Sequence, residues 1–302
     1  MRKLLVVFLL LGGMIYSQQI GDPDFKPEIK NPEYKNGKGP LILIDEAHYN
    51  FHTITGRYKP FAELLALDGY TVKANTIPFT KESLKEARLL VISNPLNIRN
   101  IDIWALPTPP AFTDEEARVI EEWVRGGGSL FLISDHMPFP GACRNISEIF
   151  GYKMNNGFAL DTTKRGGPDL FTRKDATLAD NFITNGRNKN EYVDSIYSFT
   201  GQAIRIPTGA KPVLTLKKGF ISIMPDTAWV FKNDTPKFPA EGLCQGGVSK
   251  YHKGKVAVWG EAAMFSAQIA GNNKAGMNYP PARNNYKLLL NIIHWLDGVL
   301  RE

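Results

Sequence analysis

Cysteine is scarce in this chain: its 302 residues include two, Cys143 and Cys244. Two cysteines are too few for a disulfide-built scaffold, and no CxxC pair indicates a structural zinc site. Both are compatible with an oxidising compartment. A hairpin predicted over residues 245–259 places Cys244 at the same edge of the sheet as Cys143. The sequence leaves open whether the two form a disulfide.

The excess of positive over negative charge is also small. The chain has 36 Lys and Arg against 30 Asp and Glu, a net charge of +6. Without Arg2 and Lys3, which open a predicted signal sequence, the net charge falls to +4. No run of five or more basic residues occurs, so we expect no nucleic-acid partner. The surplus is compatible with an anionic substrate or surface.

Long apolar runs are missing after the N-terminus. No later stretch approaches 18 apolar residues, so the sequence predicts no stable membrane insertion. The N-terminus has Arg2 and Lys3, an apolar stretch from Leu4 to Ile15, and the small residue Ser17. These are the three parts of a secretory signal, which we predict over residues 1–18. We expect an exported, periplasmic or extracellular protein, with a retained membrane anchor as the alternative.

Several catalytic signatures are absent as well. The sequence has no Walker A motif, no GxGxxG after a strand, no HExxH and no GxSxG nucleophile elbow. The run Gly126–Gly128 follows a helical pattern and precedes a strand, so it predicts a helix end and not a phosphate-binding loop. The chain therefore carries no signature of nucleotide binding or serine hydrolysis.

What the chain does contain is an alternation of short apolar runs with helical patterns. Residues 19–39, rich in Pro, Lys, Asn and Gly, predict an N-terminal arm or linker. Buried strands are predicted at residues 40–45, 70–74, 89–93, 129–134 and 255–259, with helices at 59–68, 82–87 and 286–300 and a further helix that begins at a capping box of Thr113 and Glu116. This alternation predicts a doubly wound, mainly parallel α/β sheet over residues 40–302.

One region breaks this rhythm. Residues from about 155 to 240 form Gly-, Asn- and Asp-rich stretches between short β-like runs. Because the α/β pattern resumes afterwards, we interpret the region as a β-rich insertion in a single domain. Within it, residues 213–216 and 220–224 predict a hairpin that turns at Lys217–Gly219.

Polar and ionisable residues follow four of the predicted strands. Asp45, Glu46 and His48 follow the first, Asn94 the third, Asp135 and His136 the fourth, and Glu261 the last. Ligands of open α/β sheets bind at these carboxyl ends. Clustered carboxylates need protons or a cation to offset their charge, and Asp, Glu and His are ordinary ligands of divalent metals. We therefore predict a divalent metal held by Asp45, His48, Asp135, His136 and Glu261.

The predicted function is a metal-dependent hydrolase of a small polar or anionic substrate. The metal lowers the pKa of a bound water, and a carboxylate or imidazole of the same set, with Glu46 as a further catalytic candidate, accepts its proton. Candidate substrate-binding residues are Arg57, Asn94, Arg187 and Gln268. Two alternatives stay open: a metal-free glycosidase with Asp45 and Glu261 as paired carboxylates, and a non-catalytic module that binds a sugar or peptide in the same cleft.

These residues also have structural interpretations. In them Asp45 caps a turn, Asp135 and His136 form a hydrogen-bonded pair, and Glu261 caps a short helix that begins near Ala262. His52 follows His48 at the HxxxH spacing, but in a loop pattern, which makes it a weak candidate for a metal ligand.

Four stretches carry a family resemblance: Asp45–His48, Gly127–His136, Ile183–Arg187 and Gly260–Gln268. They resemble secreted bacterial proteins of the class I glutamine amidotransferase-like superfamily, which includes trehalose-utilisation-like proteins and a non-catalytic domain of an intraflagellar transport protein. The resemblance covers most of residues 40–300 and implies a flavodoxin-like sheet. It implies fold more than function.

One departure from this superfamily bears on the reaction. Amidotransferases place a cysteine nucleophile on a tight turn after a strand, whereas the matching strand end here is Ser134-Asp135-His136. Cys143 lies downstream without that turn pattern. We therefore expect no glutamine hydrolysis through a thioester.

Overall fold

The structure is a computed structural model that describes residues 19–302, and the predicted signal sequence at residues 1–18 lies outside the described residues. The strands are β1 Ile20–Gly21, β2 Leu41–Asp45, β3 Thr71–Asn75, β4 Leu89–Ser93, β5 Ser129–Ile133, β6 Lys153–Met154, β7 Phe158–Asp161, β8 Asp169–Thr172, β9 Ser195–Ser198, β10 Ile204–Arg205, β11 Lys211–Thr215, β12 Phe220–Ile223, β13 Lys237–Pro239, β14 Cys244–Tyr251, β15 Gly254–Trp259, β16 Ala267–Ala270 and β17 Asn273–Gly276. The α-helices are α1 Lys59–Leu67, α2 Lys81–Leu84, α3 Asp114–Gly126, α4 Phe139–Ala142, α5 Arg144–Ile149, α6 Phe182–Asn185 and α7 Asn285–Asp297.

Five parallel strands form the centre of the main sheet, in the order β3-β2-β4-β5-β15. The chain builds β2 first, adds β3 on one side and then crosses to add β4, β5 and β15 on the other. The strand order therefore reverses between β2 and β4, which is the position of ligand crevices in sheets of this type.

Alternating side chains of these strands supply two separate cores. In β5, Phe131 and Ile133 pack on the face covered by α1 and α7, whereas Leu130 and Leu132 pack on the face covered by α3. A strand with both faces covered needs apolar residues at every position, which is why these segments are continuous apolar runs. The predicted doubly wound α/β architecture is confirmed.

Helix α3 begins as its sequence predicts. Thr113 Oγ1 accepts a hydrogen bond from the backbone N–H of Glu116 at 3.2 Å, and Glu116 Oε2 accepts one from the N–H of Thr113 at 3.0 Å. The helix ends at Gly127, whose φ of 122° is unfavourable for residues with a side chain. Helix start and helix end are thus both encoded locally.

The sheet continues beyond β15 with antiparallel strands. Strand β14 pairs with β15, β10 and β11, and β6 pairs with β10. The hairpin predicted across residues 217–219 is wrong: β11 joins the main sheet beside β14, whereas β12 pairs with β7 and β13 in a separate sheet. Short β-runs carry little local information about their partners, so the turn residues were insufficient to define the pairing.

The N-terminal arm lies against the domain. Strand β1 pairs with β16, and Phe25, Ile29 and Tyr34 pack on the core that contains α7. Both cysteines are buried and unpaired, so the structure does not form the bridge that the sequence left open. Cys143 follows α4, while Cys244 lies in β14 opposite Ile204 and Thr215. No helix within residues 19–302 is long and apolar enough to cross a membrane.

Candidate functional site

The carboxyl ends of the parallel strands bring together a set of buried polar side chains. Asp45, Ser93, Asn94 and Glu261 are each fully buried, and Asp135 is half-buried. Strands β5 and β15 are adjacent and end level with each other, because Ile133 pairs with Trp259. Asp135 and Glu261, two residues past those ends, therefore lie side by side.

Glu261 is held by backbone donors. Its Oε1 accepts a hydrogen bond from the N–H of Ala263 at 2.7 Å, and its Oε2 accepts one from the N–H of Met264 at 2.9 Å. The carboxylate thus caps the short 3₁₀ helix Ala263–Phe265, which is the structural role that the sequence left open for it. Because both oxygens are engaged and the residue is fully buried, Glu261 does not face solvent.

Asp135 is oriented by Asn94 and by its own neighbour. Its backbone N–H donates to Asn94 Oδ1 at 2.8 Å, and its Oδ1 accepts from the N–H of His136 at 3.2 Å. Asn94 has a φ of 45°, a left-handed conformation that Asn tolerates better than most residues. A residue with this backbone at a strand end places its amide across the gap between β4 and β5.

The two carboxyl groups hold a proton near neutral pH. Burial raises the pKa of Asp135 to about 7. Burial, and then the charge of Asp135, raise the pKa of Glu261 well above its ordinary value. Since two neighbouring buried carboxylates disfavour a double negative charge, the pair retains a proton near neutral pH.

Further buried polar groups surround this carboxyl pair. Gln202 Nε2 donates to the carbonyl of Ser134 at 3.0 Å, and Gln245 Oε1 accepts from Ser198. Gln268 Nε2 lies 3.4 Å from His52 Nε2. Within the described residues, Gln202 Oε1, Gln245 Nε2 and Gln268 Oε1 have no hydrogen-bond partner. Unpartnered buried polar atoms are uncommon in folded proteins and are typical of places where water or a ligand binds.

Asp45 and His48 belong to a different cluster. His48 Nδ1 lies 2.9 Å from Asp45 Oδ2, and His48 Nε2 lies 2.9 Å from Glu116 Oε1. Burial lowers the pKa of His48, but the hydrogen bonds and charges of the two carboxylates outweigh it and leave the pKa raised. Glu116 also accepts hydrogen bonds from the backbone N–H groups of Phe79 and Thr113. The capping-box spacing indicates Glu116 only as part of a helix start, and nothing in the sequence indicates its contact with His48.

Asp45 and Glu261 would be neighbours only if their strands were adjacent, and they are not. Strands β4 and β5 lie between β2 and β15, so three strand spacings of ~4.8 Å separate the two strand ends by about 14 Å. The metal–oxygen bonds of one shared ion are only ~2–2.6 Å. Among residues 19–302, no group of three or more His, Cys, Asp or Glu side chains is arranged to hold a metal ion. The predicted metal site stays a prediction that this arrangement does not favour.

His136 joins an aromatic surface instead. Its Nδ1 lies 2.8 Å from the carbonyl of Met137, and its ring stacks on Phe158 at a centroid distance of 4.3 Å. Trp229 meets the same ring edge-on at 4.6 Å. Burial lowers the pKa of His136 to about 4, so the imidazole is neutral at pH 7. Because Nδ1 faces a carbonyl oxygen, it carries the hydrogen, and Nε2 is left as an acceptor.

A chain of ring contacts extends this surface in both directions. We call it the aromatic wall; it comprises Phe51, Trp104, His136, Phe139, Phe158, Trp229 and Phe231. Trp229 and Phe231 are 46% and 42% exposed. The sequence does not indicate the wall, because its members come from five separate segments, two of them in the predicted insertion.

The predicted substrate-binding residues divide between the site and the rest of the molecule. Asn94 and Gln268 lie beside Asp135 and His52. The guanidinium of Arg57 lies 3.8 Å above the Phe51 ring, at the end of the aromatic wall. Arg187 does not reach this edge.

Two further candidates have structural partners. Arg187 is bound to Glu33 and Glu191 near the opposite end of the sheet, so its predicted role at the site is wrong. Glu46 accepts a hydrogen bond from the backbone N–H of Ile54 at 2.6 Å, which holds the loop after β2. Ion pairing and loop closure therefore account for both side chains.

Comparisons with known proteins give structural likeness without close sequence relatives. No protein-family model and no curated protein sequence matches the chain. The N-terminal domain of IFT52 is similar with a TM-score of 0.62 and 17% identity, over 85% of this chain and 97% of that one. A cytoplasmic protein of Salmonella typhimurium LT2 has a TM-score of 0.52 and 14% identity, over 85% of this chain and 99% of that one.

A third similar structure has a lower TM-score. It is a ThuA-like protein from Bacteroides uniformis, with a TM-score of 0.44 and 14% identity over 91% of this chain and 95% of that one. The chain has a flavodoxin-like α/β fold. At 17% and 14% identity, the likeness to the first two structures shows the fold alone.

Proposed function

We propose that the protein binds a glycan at the carboxyl edge of its parallel sheet. The observation that carries this proposal is the aromatic wall beside Asp135. Pyranose rings present apolar C–H faces that pack on aromatic rings, and hydroxyl groups that bond to carboxyl and amide groups. Both kinds of group meet here, at the carboxyl ends of the parallel strands.

Backbone conformation supports a functional role for this edge. Six non-glycine residues of the described chain have positive φ, and four of them, Tyr49, Asn94, Thr200 and Trp229, flank the carboxyl ends or the aromatic wall. Trp229 has a φ of 66° and still leaves 46% of its surface exposed. Strained backbone that presents an exposed aromatic ring is unfavourable for folding alone and is typical of binding sites.

The polar side of the site consists of a carboxyl group and a neutral imidazole. Asp135 is the half-buried member of the carboxyl pair, and the neutral ring of His136 follows it directly. A carboxyl group with a pKa of about 7 both donates and accepts hydrogen bonds near neutral pH, as sugar hydroxyls do. This set favours a neutral or hydroxyl-rich ligand over an anion.

Hydrolysis of the bound glycan is a second candidate function. Asp135 has the pKa expected of a general acid at neutral pH, and His136 Nε2 is a neutral acceptor in the adjacent residue. Glu261 is enclosed by backbone donors, so it acts in this scheme only by raising the pKa of Asp135.

Calorimetric titration of the purified chain with gluco-, manno-, galacto- and xylo-oligosaccharides tests the proposal. We expect one class to bind, and W229A to weaken its binding by about 2- to 13-fold, which corresponds to the ~0.5–1.5 kcal/mol of an aromatic contact. Y192A is the matched control, because Tyr192 is 44% exposed but packs against Arg173 on another surface. Absence of binding in every class, or equal losses of affinity in both variants, would refute it.

Loss of sugar release in D135N with retained binding would establish hydrolysis.

A further inference from the structure

A second cleft lies at the opposite edge of the sheet. It has a volume of about 650 Å³ and is bounded by residues 25–31 of the N-terminal arm, residues 187–191 and helix α7. Asp68 at its floor ends α1, just before β3 begins, which places the cleft at the amino edge of the parallel strands. Its volume is within the ~300–1,000 Å³ range of small-molecule sites.

The walls of this cleft carry an excess of positive charge. Six cationic side chains line it, Lys26, Lys30, Arg187, Lys189, Arg283 and Lys287, against the three acidic ones Glu28, Asp68 and Glu191. Two of those acids are already engaged, Asp68 with His294 at 2.6 Å and Glu191 with Arg187 at 2.8 Å. Apart from Arg187, the cations form no ion pair within residues 19–302. A concave surface with this balance attracts anions.

One buried polar atom of the cleft wall also lacks a partner. Asn291 is fully buried, and its Nδ2 donates to the carbonyls of Ile183 at 2.7 Å and Glu191 at 2.9 Å. These two bonds determine the orientation of the amide and leave Oδ1 as an acceptor with no donor among the described residues. A ligand hydroxyl would satisfy it, which a carboxylate or phosphate oxygen cannot do.

Arg187 is held in place between these features. Its guanidinium lies 2.7 Å from Glu33 Oε2 and 3.5 Å from His294 Nδ1. The carboxylates of Glu33 and Glu191 offset the charge of Arg187, so the unpaired cations supply the positive charge that is available to a ligand.

We propose that this cleft binds a small organic anion with two or more negative charges and a hydroxyl group. The unpaired lysines and Arg283 neutralise the charges, and Asn291 Oδ1 accepts the hydroxyl hydrogen. Carboxylates and phosphates both satisfy this chemistry. The site is independent of the glycan site, since the two lie at opposite edges of the sheet.

Titration of the full chain with citrate, tricarballylate and glycerol 2-phosphate tests this inference. Citrate and tricarballylate carry the same three carboxylates, but only citrate has a hydroxyl. We expect citrate to bind at least 5-fold tighter than tricarballylate. We expect the double variant R283Q/K287Q to bind citrate at least 5-fold more weakly than the wild type does. Binding of glycerol 2-phosphate in place of citrate would assign the site to phosphorylated hydroxy compounds.

The control variant is K218Q, because Lys218 is exposed outside the cleft. Three outcomes overturn the inference: binding of neither citrate nor glycerol 2-phosphate at low ionic strength, citrate that binds but no tighter than tricarballylate, or the same loss of affinity in K218Q as in R283Q/K287Q. Circular dichroism of each variant verifies that the fold is retained.

Discussion

Replacement of Asp135 by asparagine removes the titration of one member of the carboxyl pair while preserving the size of the side chain. In the folded protein burial raises the pKa of Asp135 from 3.8 to about 7. The folded state therefore binds this proton more tightly than the unfolded chain does. The stability that this group contributes is fully present below pH 3.8 and is lost as the pH rises through 7.

The magnitude follows from the size of the shift. At about 1.4 kcal/mol per pH unit, a pKa raised from 3.8 to about 7 makes the wild type about 4 kcal/mol less stable at pH 8 than at pH 4 through this group alone. The amide that replaces the carboxyl group does not titrate, so D135N should gain about 4 kcal/mol of unfolding free energy relative to wild type across that range. Removal of the neighbouring charge also lowers the pKa of Glu261, which acts in the same direction.

Urea unfolding followed by tryptophan fluorescence, at each pH unit from 4 to 8, measures this difference. D102N is the control, because Asp102 is exposed; its difference from wild type should stay within ~0.5 kcal/mol at every pH. A difference between D135N and wild type that does not change with pH would refute the shared proton. It would mean that Asp135 titrates as an ordinary exposed carboxyl group.

Two further predictions concern the packing around the site. H48Q should lower the free energy of unfolding by about 3–5 kcal/mol at pH 6, because the raised pKa keeps His48 charged between two buried carboxylates at this pH. The loss should be smaller at pH 9. Equal losses at both pH values in urea unfolding would contradict this. G201A should cost ~1–3 kcal/mol, because an added Cβ would lie 2.0 Å from the carbonyl oxygen of Gly260. G126A lies near the end of α3, where its added Cβ would meet no atom within 4 Å, so this variant should stabilise the protein by ~0.5–1 kcal/mol. A loss of stability in G126A would contradict this contrast with G201A.

Local patterns were sufficient for the parallel half of the fold. The predicted strand at residues 89–93 coincides with β4, and the capping box at Thr113 and Glu116 begins α3 where expected. Apolar runs and caps act within a few residues of chain, so they can be read without knowledge of the partner elements. The same reasoning correctly placed Asp45, Asp135 and Glu261 at the carboxyl ends of their strands.

The pairing of strands could not be predicted from that local information. The β11 and β12 segments are separated by four residues and still enter different sheets, because each is selected by the surface that covers it. The aromatic wall is invisible for the same reason: Phe158 and Trp229 are 71 positions apart in the chain and meet only after β7 and the later loop have folded onto His136.

By itself the sequence determined the α/β class, the positions of the buried strands and the edge where polar groups gather. Only the tertiary structure decided which of those groups touch. The order of strands in the sheet separates Asp45 from Glu261 and joins Asp135 to it, and a contact across 68 positions of sequence binds His48 to Glu116. Strand order results from the packing of whole helices and sheets, a global balance that no single stretch of residues encodes.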